Sequence, residues 1–134
     1  MPNGGAGLGG IGGAIYMDGV SQNADAPRSV LCRCTFTNNT AGDHAGAVFN
    51  YTIPGTGSVS IVSRCTFEGN TVPDSATLYV GTSGALYTQG ANTSIVDSTF
   101  SGNFAQNAGG AISFHTDRPS RVANCTFSGN SSWN

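Results

Sequence analysis

The chain has 134 residues, seven acidic and five basic side chains, and a formal net charge of −2, which is one domain's length and no lysine-rich or acidic tail. Its five arginines are scattered and predict no basic face for electrostatic binding to nucleic acid. No apolar run approaches the ~18 residues of a membrane span, and no charged region followed by an apolar stretch marks a secretory leader.

Residues 1–11 form a glycine-rich segment. It contains G-x-G-x-x-G at Gly5, Gly7 and Gly10, but a dinucleotide site needs a strand before that motif and a helix after it. Neither is present, so the segment reads as a linker or a degenerate coil. From residue 12 to 134 two phrases alternate. GGAIY begins at Gly12, AGAVF at Ala45, SGALY at Ser83 and GGAIS at Gly109; each is followed by CTFTNN, CTFEGN, STFSGN or CTFSGN. The units run over 12–39, 45–70, 83–103 and 109–130. Helical repeats are excluded, because the units are rich in Gly, Asn, Thr and β-branched residues with no 3.6-residue apolar period. A propeller blade needs about 40 or more residues. The spacing predicts an all-β, right-handed, single-stranded parallel β-helix of about four coils, each with three short strands.

In such a coil, like residues stack at about 4.8 Å. Phe36, Phe67, Phe100 and Phe127 are predicted to form an inward spine, with Cys34, Cys65, Ser98 and Cys125 on the same side. Asn38, Gly69, Gly102 and Gly129 tolerate positive φ and predict a bend. Asn39, Asn70, Asn103 and Asn130 follow as an amide ladder. In the glycine phrase, Ile15, Val48, Leu86 and Ile112 point inward; Ala14, Ala47, Ala85 and Ala111 point outward, as do Tyr16, Phe49 and Tyr87 by strict alternation. That makes the three aromatics an exposed stripe and candidate binding surface. Val59 to Val62, Thr93 to Val96 and Arg121 to Ala123 supply the remaining strand. NYTIPGTG, VPDSATLYVGT and HTDRPS read as loops by their Pro and Gly content.

The cysteines read as buried thiols: stacked Cys34 and Cys65 are within disulfide reach at Cα, but parallel Cβ vectors are poorly aimed. No CxxC spacing suggests zinc, and no cofactor is expected. Sequons occur at Asn38, Asn50, Asn92, Asn124 and Asn130. Asn50 and Asn92 in loops, and Asn124 facing outward, are the candidate glycosylation sites.

The paired GGA(I/L/V) and FxxN tetrapeptides, over residues 12 to 130, resemble the repeats of the polymorphic outer membrane proteins of chlamydia-type bacteria. The resemblance implies a β-helical autotransporter passenger on the cell surface and a role in adhesion. Two departures stand: no β-barrel translocator is present, and Ala45 and Ser83 replace the first glycine of their phrases.

Catalysis is not expected. Asp18, Asp25, Asp43, Glu68, Asp74, Asp97 and Asp117 fall at different repeat positions, whereas β-helical lyases and glycosidases cluster carboxylates on one face. His44 precedes a glycine phrase and His115 follows one, so stacking does not unite them. Uncapped ends predict further β-helix coils, or further copies of the chain, stacked end to end. The expected function is a non-catalytic extracellular fibre or stalk segment at the cell surface. The alternatives are an adhesin or carbohydrate-binding passenger, with surface glycans or host proteins as partners, and a pectate-lyase-like enzyme.

Overall fold

The computed structural model describes residues 10–19, 28–52, 57–73, 82–116 and 118–133. The first rung holds β1 (Ile15–Gly19), β2 (Arg28–Cys32) and β3 (Thr35–Thr37). The second holds β4 (Val48–Thr52), β5 (Val59–Ser63), β6 (Thr66–Glu68) and β7 (Thr71–Val72). The third holds β8 (Leu86–Gln89), β9 (Asn92–Val96), β10 (Thr99–Ser101) and β11 (Phe104–Ala105). The fourth holds β12 (Ile112–His115), β13 (Ser120–Ala123), β14 (Thr126–Ser128) and β15 (Ser131–Ser132). Every pairing is parallel and joins equivalent strands of successive rungs, giving sheets β1-β4-β8-β12, β2-β5-β9-β13, β3-β6-β10-β14 and β7-β11-β15. The fold is an all-β parallel β-solenoid of about three turns. Four coils were expected; the slight difference reflects four rungs separated by three steps.

Each rung also carries a short element that the repeated letters do not announce. Thr71–Val72, Phe104–Ala105 and Ser131–Ser132 pair as a fourth sheet, and Thr40 bridges to Thr71 to begin it in the first rung. Thr40, Thr71 and Ser131 carry hydroxyls at this place, with Thr40 Oγ1 and Thr71 Oγ1 3.2 Å apart, and Phe104 interrupts the series. The predicted loops are shorter than their Pro and Gly suggest: Asn50 to Thr52 belong to β4, His115 to β12 and Ser120 to β13.

The core is the column where β3, β6, β10 and β14 meet the first sheet. Phe36, Phe67, Phe100 and Phe127 stack with centroids 4.8, 4.7 and 5.0 Å apart and interplanar angles of 15°, 3° and 6°. Phe67 and Phe100 are fully enclosed, whereas Phe127 in the last rung is 48% exposed. Val48 and Leu86 complete this core, with Ile15 and Ile112 packed against it at the ends. The alanines depart from expectation: Ala47, Ala85 and Ala111 are buried in the same cluster, and only Ala14 is exposed. The alternation argument fails there because the glycine phrase is a turn, and the strand begins only at the aliphatic residue that follows.

Candidate functional site: stacked corners and the outer aromatic cluster

Two corners hold the rungs in register. At the first, Asn38, Gly69, Gly102 and Gly129 have φ of 54°, 61°, 59° and 61°, the left-handed region that Gly and Asn enter at least cost. The next residue starts the amide ladder. Asn39 Nδ2 donates to Asn70 Oδ1 at 2.8 Å, Asn70 Nδ2 to Asn103 Oδ1 at 2.9 Å, and Asn103 Nδ2 to Asn130 Oδ1 at 2.8 Å. Each Oδ1 also accepts the backbone N–H of the Asn one rung earlier, at 3.0, 2.9 and 3.0 Å. The second Nδ2 proton goes to the preceding rung's Phe carbonyl: Asn70 to Phe36, Asn103 to Phe67, Asn130 to Phe100. In Asn70 and Asn103 both amide protons and both carbonyl lone pairs are thereby used, which is what allows a polar side chain to be wholly buried.

The glycine phrase meets this corner from across the coil. A Cβ on Gly46 would lie 2.0 Å from the Gly84 carbonyl oxygen and 2.6 Å from the Thr71 nitrogen; one on Gly84 would lie 1.9 Å from the Gly110 oxygen and 2.7 Å from the Phe104 nitrogen. Gly13 and Gly110 are confined in the same way. The second glycine is present in all four phrases, while Ala45 and Ser83 occupy the first position in two; at the other two, Gly12 and Gly109, an added Cβ would also meet a backbone carbonyl oxygen, of Ile15 and Ile112. Ser83 Oγ shares its proton between the Leu86 and Ala111 carbonyls, at 2.7 and 2.9 Å.

A third column was not foreseen. Arg33, Arg64, Asp97 and Asn124 have φ of 55°, 54°, 51° and 53°. Just after each, Cys34, Cys65, Ser98 or Cys125 donates back to the carbonyl two residues before it, at 3.5, 3.3, 2.8 and 3.3 Å. The turn residue is arginine in two rungs and Asp97 or Asn124 in the other two, so the backbone exposes this corner more clearly than the letters do. All four cysteines are free thiols, Cys32 exposed and Cys65 buried. Burial is the main cause that pushes the Cys65 thiol pKa up.

The aromatic residues after the aliphatic ladder do sit on the outer side, and they stack: Tyr16 on Phe49 at 5.4 Å, Phe49 on Tyr87 at 5.0 Å. They are not an exposed stripe. Phe49 and Tyr87 are 6% and 5% exposed, and only Tyr16, at 45%, meets solvent. The cover comes from Ile11 and His44 ahead of the glycine phrases, Ala45 at the start of one, and Tyr51 in β4. Ile11, Ala45 and Tyr51 pack on the rings, and His44 sets its ring edge-on against Phe49 and Tyr87 at 5.4 and 5.5 Å. His44 Nδ1 lies 2.8 Å from Asp43 Oδ1, at an angle that makes no hydrogen bond. His115 approaches Tyr87 from the next rung at 6.4 Å. The two histidines, expected to have nothing in common, therefore share one ring. Desolvation raises the Tyr87 phenol pKa.

Other candidates scatter. Asn50 is 3% exposed and donates to Ser29 Oγ at 3.2 Å, so the sequon expected in a loop is an internal polar residue closed to a glycan. Asn92 opens β9, half-buried, rather than lying in a loop. Asn124 is exposed and donates to Asp97 Oδ1 at 3.2 Å. Asp25, Asp74 and Asp117, with Gly5 and Gly7, lie outside the described residues. Among the described residues no three His, Cys, Asp or Glu side chains gather as a metal site, and no helix is long and apolar enough to cross a membrane. A cleft of about 450 Å³ opens between the first and second sheets, lined by Met17, Asp18, Arg28, Ser29, Asn50 and Val59 among others.

Residues 33–51 and 97–115 match the family model for the Chlamydia polymorphic membrane protein repeat. Each match starts at the left-handed corner, at Arg33 or Asp97, and crosses the CTF strand and amide ladder into the next glycine phrase. No curated protein and no solved structure matches the chain. Repeat match and parallel stacking together support a β-solenoid whose repeats are similar to those of the Chlamydia polymorphic membrane proteins, the match covering 38 of the 134 residues.

Proposed function

We propose that the chain is a structural, non-catalytic segment of a surface-exposed outer membrane protein, a short stiff stalk of stacked coils. The observation that carries this reading is the amide ladder: Asn39, Asn70, Asn103 and Asn130 spend their side chains on the rung above or below. The Phe column and the second glycines do the same. The residues that define the repeat thus maintain register, and the repeat family supplies the surface setting. The buried Phe49 and Tyr87 weaken the rival reading as a sugar-binding aromatic platform, since a sugar needs an open ring face.

The last rung favours axial continuation. Phe114, Val122 and Phe127 are 39%, 42% and 48% exposed, although Val122 pairs in register with the buried Ile95, and Phe127 with Phe100. An adjoining β-helix coil, from the same parent chain or from a second copy, would cover them. Sedimentation and electron microscopy of the chain over a concentration series test this. Axial oligomers that disappear in Phe127→Glu are expected; a compact monomer at every concentration would remove the self-stacking version.

A further inference from the structure

The left-handed corner column carries two residues that the solenoid itself does not need. Arg33 and Arg64 both sit at positive φ, 55° and 54°. Asn, present as Asn124 two rungs beyond Arg64, enters this region far more readily than arginine. Their backbones are one rung apart: Arg33 N–H donates to Ser63 O at 3.0 Å and Arg64 N–H to Val96 O at 3.1 Å. At about 4.8 Å per rung the two arginine side chains leave the backbone as neighbours. Both side chains are exposed, and among the described residues neither makes an ion pair. Asp97, the next residue up the column, turns its carboxylate to Asn124 instead. Two arginines therefore occupy left-handed backbone on adjacent rungs without an ion pair among the described residues, and residues held in that region are a pointer to function.

The surroundings narrow the ligand. Thr35 and Thr66, in register on β3 and β6, lie two residues on and on the outward side of their strands. Exposed Val30 pairs in register with Ile61 on the outer face of the neighbouring sheet, and exposed Arg28 lies at its start. Two arginines rooted one rung apart can bring their guanidinium forks to one tetrahedral oxyanion. The adjoining apolar strip suits the uncharged face of a sugar ring. With net charge −2 and five arginines in all, the chain has no broad positive field, so the site grips a single anionic group rather than the length of a polyanion.

We propose that Arg33 and Arg64, flanked by Thr35 and Thr66, form a binding site for a sulfate ester of a sulfated polysaccharide. The test is calorimetric or NMR titration of the chain with a heparin oligosaccharide, its fully desulfated form, inorganic sulfate and a duplex DNA oligonucleotide. Expected are saturable heparin binding that weakens with salt, little binding of the desulfated sugar, and heparin favoured over DNA at equal ionic strength. The variant carrying Arg33→Asn and Arg64→Asn together should bind heparin at least tenfold more weakly while melting no lower than the parent, since Asn is at home in this corner. Arg121→Asn, an exposed arginine on the last rung, should change binding less than twofold. Three results would overturn the proposal: no heparin binding by the parent, equal loss in Arg121→Asn, or full binding in the double variant. DNA binding as tight as heparin binding would overturn the assignment to a sugar.

Discussion

The α-carbon of Gly46 faces the carbonyl of Gly84 so closely that a single added methyl would come within 2.0 Å of that oxygen. The same methyl would press on the Thr71 amide just past the Asn70 corner. The two halves of the repeat are therefore one contact seen from opposite sides of the coil, which accounts for their alternation along the chain.

Gly46→Ala should accordingly cost about 3 kcal/mol or more, because the obstructing atoms are backbone and cannot rotate away. Ala45→Gly, one residue earlier, should cost roughly 1 kcal/mol, mainly in chain entropy. Urea unfolding of the two variants compares them directly; equal losses would dissolve the distinction between the two glycine positions.

Asn70→Ala leaves the Asn39 amide protons, the Phe36 carbonyl and one acceptor site on Asn103 without their partner. With about 1–3 kcal/mol for each buried group left unsatisfied and partial relaxation, a loss of roughly 3–5 kcal/mol is expected. Asn39→Ala, at the edge of the ladder, should cost about 1 kcal/mol. Hydrogen exchange at the Asn39 amide, protected in the parent, should accelerate in Asn70→Ala.

The Phe column predicts a gradient along the axis. Phe100→Ala opens a cavity between two stacked rings and should cost roughly 3–5 kcal/mol. Phe127→Ala removes a ring already half in solvent and should cost about half as much or less. A change below 1 kcal/mol at Phe100 would take that ring out of the core.

Alkaline pH should probe the covered outer cluster. Burial raises the Tyr87 phenol pKa above its ordinary value of 10.0, so the folded state holds the proton longer than the unfolded chain does. Its contribution is complete below the unfolded pKa and is lost as pH rises through the folded one. Stability should fall as pH climbs past about 10, the unfolded phenol value, and Tyr87→Phe should flatten that part of the profile. An unchanged slope in the variant would mean that Tyr87 is ionised as freely in the fold as outside it.

Much of this architecture could be read from repeated letters, because a ladder works only if the same residue recurs at the same place. Phe67, Asn70 and Gly69 were legible for that reason. What escaped reading depends on backbone or on residues that occur once. The corner through Arg33, Arg64, Asp97 and Asn124 is one conformation reached with three different side-chain types. The burial of Phe49 and Tyr87 is caused by His44, Ala45 and Ile11, outside the repeated strands. Asn50 was misplaced because a sequon looks alike in a strand and in a loop, and only its bond to Ser29 separates the two.

The fixed corners also divide the sequence into a run of constant length and two seams of varying length. From Arg28 to Asn39, Val59 to Asn70, Asn92 to Asn103 and Pro119 to Asn130 the chain advances 11 residues each time. The advance from the ladder Asn to the confined glycine is 7 residues from Asn39 to Gly46 but 14 from Asn70 to Gly84. From Ile15 to Arg28 it is 13, yet only 6 from Leu86 to Asn92. Foreign peptide should therefore be accepted at the two seams of varying length and rejected within the invariant run, so epitopes or tags belong at the seams.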